Sequence, residues 1–105
     1  MTATAAVDQV GAFRRASSRY ADLAHREAEL EAERSLRKQY AVERIMAATG
    51  KAATPAEKLA ESDPEYREFL ATLRNVTREK HGAWTDMEAA RLLARLYSAF
   101  AAEVL

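Results

Sequence analysis

Cysteine is absent from this chain, which excludes disulfides and thiol chemistry and fits a reducing compartment. Proline occurs twice and glycine three times, too rarely to punctuate a loop-rich or all-β chain. No apolar run approaches the roughly 20 residues of a membrane span. The opening Met1-Thr2-Ala3-Thr4-Ala5-Ala6 lacks the charged and apolar regions of a secretory signal. The expected location is therefore cytoplasmic. Neither charge sign dominates, with 16 Lys and Arg against 16 Asp and Glu. A protein that lives on phosphate contacts usually carries a basic surplus, so the balance argues against a dedicated nucleic-acid binder.

What remains is the composition of long helices. The 105 residues suit a single domain, and the apolar share leans on alanine, which favours close helix packing over a thick globular core. Alanine, glutamate, arginine and leucine are the preferred residues of long helices and coiled coils.

The scarce breakers are not scattered. Both prolines and Gly50 fall between Thr49 and Pro64, with about forty helix-periodic residues on either side. A first helix is expected over about 8–48, with Asp8 as its N-cap and 1–6 frayed. Val10, Phe13, Ala16, Tyr20, Leu23 and Ala24 form its early apolar face. Leu30 and Leu36 are the only large apolar residues in the charged stretch 25–38, and Tyr40, Val42, Ile45 and Met46 restore the stripe. Gly50 stands where a C-terminal cap belongs. Thr54-Pro55-Ala56-Glu57 has the form of a capping box opening a short helix over about 55–61. Ser62-Asp63-Pro64-Glu65 repeats the device, with Ser62 or Asp63 as the cap, and opens a last helix over about 64–103. In that helix Tyr66, Phe69, Leu73, Val76, Lys80, Ala83, Met87, Ala90, Ala94, Tyr97, Ala101 and Val104 step by three and four. The stripe keeps its phase across Gly82, so continuity is expected despite a second capping pattern at Thr85-Asp86-Met87-Glu88. The fold class is all-α: a long antiparallel helical hairpin with a short helix at the tip, in which residue i faces roughly residue 112 − i.

The open end of that hairpin is too apolar for one partner helix. A stripe of roughly 100° suffices for one contact, yet Leu92, Leu93, Leu96, Tyr97, Phe100 and Val104 spread over about 140° of the helical wheel. Glu88, Arg91, Arg95 and Ser98 define the polar side. Either the N-terminal residues folding over it or self-association into an oligomeric bundle would cover the surplus, and self-association is favoured. Trp84 is expected either to pack over Ala28 and Ala32 or to anchor a partner.

Candidates for chemistry are thin. His25 and His81 are the only imidazoles, and no Glu-x-x-His pair accompanies them, so they read as surface residues and no metal is expected. Thr49-Gly50-Lys51 lacks the earlier glycine and following hydroxyl of a phosphate loop. Asn75-Val76-Thr77 matches a glycosylation acceptor but lies mid-helix. The serines have no histidine and carboxylate placed for a triad. No enzyme activity and no cofactor is expected.

The basic residues fall in bands. Arg34, Arg37 and Lys38 would lie near Arg74 and Arg78, while Arg14, Arg15 and Arg19 would lie near Arg91 and Arg95. Acidic bands separate the two groups and would repel a nucleic-acid backbone. Two functions remain. The favoured one is a helical protein–protein interaction module whose partners are a second copy and another protein. The alternative is a nucleic-acid-associated accessory protein using Arg34, Arg37, Lys38, Arg74 and Arg78.

The insert Gly50-Lys51-Ala52-Ala53-Thr54-Pro55-Ala56-Glu57, followed by Glu61-Ser62-Asp63-Pro64-Glu65-Tyr66 between two charged helices, resembles that of small helical proteins encoded by bacterial phages and prophages. The resemblance spans about residues 20–98. It implies an accessory role near replication, recombination or host defence, with no activity attached to particular residues.

Overall fold

The structure, a computed structural model, describes residues 3–104, with the side chains of Ala5 and 7–99. Three helices and no strands occur among the described residues: α1 (Ala3–Thr49), α2 (Ala53–Ala60) and α3 (Pro64–Val104). Helix α1 packs against α3 as a hairpin, with α2 between them in the chain. The contacts gather into two compact units, 26–76 and 1–25 with 77–105.

α1 begins at Ala3, ahead of the expected start, and Asp8 lies inside it rather than at its cap. The segment Ala3-Thr4-Ala5-Ala6-Val7 holds no breaker and three alanines, so nothing in it halts the helix. The C-terminal cap is as expected. Gly50 adopts φ +70°, and its N–H donates to the Met46 carbonyl at 2.9 Å. The left-handed conformation costs an L-residue about 1–2 kcal/mol, which glycine avoids.

The capping box at Thr54 does not form. α2 opens two residues earlier, with Ala52 as an N-cap that makes no side-chain bond, and the Ala56 N–H reaches the Ala52 carbonyl at 3.1 Å. Pro55 then sits in the first turn, where its missing N–H has no intrahelical partner to lose. The second device does work. The Asp63 carboxylate accepts the Tyr66 N–H at 3.0 Å, and the Arg67 N–H closes the first turn on the Asp63 carbonyl at 2.9 Å. α3 then runs unbroken through Gly82. Thr85 donates its hydroxyl to the His81 carbonyl at 3.1 Å, the bond of a residue inside a helix and not of a cap.

In the unit 26–76, Leu30, Ala41, Ala60, Tyr66, Phe69 and Leu73 form the core, with Val42, Ile45, Leu70 and Val76 packed on it. Ala41, Ala56 and Ala60 are wholly buried; their small side chains let α2 lie close to its neighbours. Arg37 lies over the Phe69 ring and Arg44 pairs with Asp63, so facing residues sum to 106 and 107. In the other unit Arg19 pairs with Asp86, summing to 105. The expected 112 is thus too high by five to seven. The cause is α2. It returns alongside α1, where Val42 and Met46 share a groove with Ala53 and Glu57 and Lys38 bonds Glu61, just past the end of α2, at 3.3 Å. A slip of nearly one heptad keeps the same stripe inward. From Tyr66 to Tyr97, every member of the α3 stripe is buried or half-buried, Lys80 included.

Candidate interaction surfaces

The best-built polar feature lies where α2 gives way to α3. The Arg44 guanidinium bonds the Asp63 carboxylate at 2.6 Å and Glu65 at 3.1 Å. Asp63, one-tenth exposed at its side chain, therefore serves two elements at once: it caps α3 and fastens that cap to α1. The bond from Arg44 holds its carboxyl below the usual value, with the Tyr66 N–H adding to the effect against the opposing cost of burial. The capping role was readable from Ser62-Asp63-Pro64-Glu65. The partner Arg44, 19 residues away, was not, because no local spacing specifies it.

The basic residues proposed for nucleic acid do not stand as an open band. Arg34 faces Glu31 at 3.8 Å, and its bond to the Tyr66 side chain raises its pKa. Arg37 faces Glu33 at 3.6 Å while covering Phe69, and Lys38 faces Glu61. Arg74 donates to the Leu70 carbonyl of its own helix at 3.3 Å. Arg78 is exposed and belongs to the other unit. Three of these five cations sit on a carboxylate, which lowers the field they offer a phosphate backbone.

The unit of 1–25 with 77–105 holds the apolar candidates. Phe13, Ala16, Tyr20 and Leu23 of α1 are half-buried, as are Met87, Ala90, Ala94 and Tyr97 of α3, around a buried Ala83. The leucines and the tryptophan of this segment point elsewhere. Leu92 is 57% exposed, Leu93 45%, Leu96 65% and Trp84 50%. Leu92 is nine residues from Ala83, about half a turn around the helix. Ala28 and Ala32, the expected seat for the Trp84 ring, are themselves exposed. Phe100 and Val104 lie outside the described side chains. The polar side assigned to this segment turns partly inward. Glu88 and Arg91 are half-buried and bonded to each other at 2.5 Å, while the leucines take the outside. The alanines of the inner stripe explain the exchange, because small residues permit close helix approach and need no leucine behind them.

A feature of this face went unread in the sequence although its signal was local. Thr85, Ala89, Leu92, Leu96 and Ala99 step by four, three, four and three, and all five are exposed. That is a second heptad seam on α3, turned away from the first.

Groups able to do chemistry are not assembled. Among the described residues no three His, Asp or Glu side chains are placed to hold a metal ion. His25 and His81 are both exposed. The concavities of the 26–76 unit are open grooves. One runs between α1 and α2 past Gln39, Val42 and Met46; another lies beside Leu30, Arg37 and Phe69. No helix among the described residues is long and apolar enough to cross a membrane. Searches of protein-family models, curated proteins and solved structures find no match to this chain.

Proposed function

We infer that this chain is a non-catalytic helical interaction module whose working surface is the outward face of α3 around Leu92, Leu93 and Leu96. The observation that carries the reading is the exposure of three neighbouring leucines on a helix whose opposite side is already packed. Contiguous apolar surface of this kind marks interaction sites, whereas a lone exposed leucine is ordinary. The fold is kept by other residues, so the face is free to serve binding. An accessory role in a phage or prophage setting is the context suggested by the tip insert of Thr54 to Tyr66.

The test is differential capture in the native host with Leu96→Asp as the comparison. Leu96 is largely exposed, so the variant is expected to keep its helical circular dichroism and melting temperature. Wild-type chain should enrich partners, copies of itself among them, that the variant loses. Equal capture by both, or loss of helicity in the variant, would remove this face from function. Salt-sensitive DNA or RNA binding, abolished by Arg74→Ala with Arg78→Ala, would instead favour the nucleic-acid alternative.

A further inference from the structure

We draw no further inference here: the strongest candidate, the outward apolar face of α3 around Leu92, Leu93 and Leu96, belongs to the surface already described, and nothing in the structure shows what covers it.

Discussion

Asp63 shows how one side chain can settle two junctions. Its carboxylate accepts the Tyr66 N–H and the Arg44 guanidinium together. Comparing two substitutions separates the roles. Asp63→Ala loses both, and the cap alone is expected to cost about 1 kcal/mol in urea denaturation. Asp63→Asn keeps a residue able to cap and loses the ion pair, so it should fall between alanine and wild type. The pH dependence follows from the lowered carboxyl. A group depressed in the folded state contributes stability fully above its unfolded value of about 3.9, and that contribution is lost as pH falls through the folded one. Wild type should therefore lose stability below about pH 4, and Asp63→Asn should show a shallower acid limb. Equal acid limbs in thermal melts across pH 2–6 would show that other carboxylates govern it.

At the scale of elements, the question is where helices stop. Gly50 stops α1 because it alone adopts the left-handed conformation there, whereas Gly82 interrupts nothing. A methyl group added at Gly82 meets no atom within 4 Å. Gly82→Ala is therefore expected to stabilise the chain by about 1 kcal/mol, the helix-propensity difference between the two residues. An unchanged or lower denaturation midpoint would mean that α3 draws on flexibility at this position. Most of this was legible in the sequence. The Gly50 cap, the Asp63 cap and the inward stripe of α3 all depend on neighbours within a few positions. The Thr54 box failed because a capping pattern is also compatible with starting two residues earlier, which Pro55 tolerates. The register failed because it was extrapolated from the tip as though α2 lay beyond the end of α1.

For the whole molecule, burial divides unequally between the two units. Among the described residues, seven of the eight buried apolar side chains belong to the unit 26–76, and Ala83 belongs to the other. Local stability follows buried contact, so amide exchange should be slowest around Leu30, Tyr66, Phe69 and Leu73 and faster over 7–25 and 77–99. Leu73→Ala, in the better-packed unit, is expected to cost about 2–5 kcal/mol. A cost well under that range would mean the core relaxes around the gap.

The sequence alone determined the helices, their order and the stripe by which α3 meets α1, because periodicity and caps act over three or four residues. It also contained the second seam, since Ala89, Leu92, Leu96 and Ala99 are spaced as any heptad is. Tertiary structure decided the α1–α3 register, that Arg44 meets Asp63, how far α2 folds back along α1, and that Leu92, Leu93 and Leu96 stay outside. Those outcomes depend on contacts between segments tens of residues apart, where the small volume of Ala83, Ala90 and Ala94 proved better suited to close packing than the bulk of the leucines left outside.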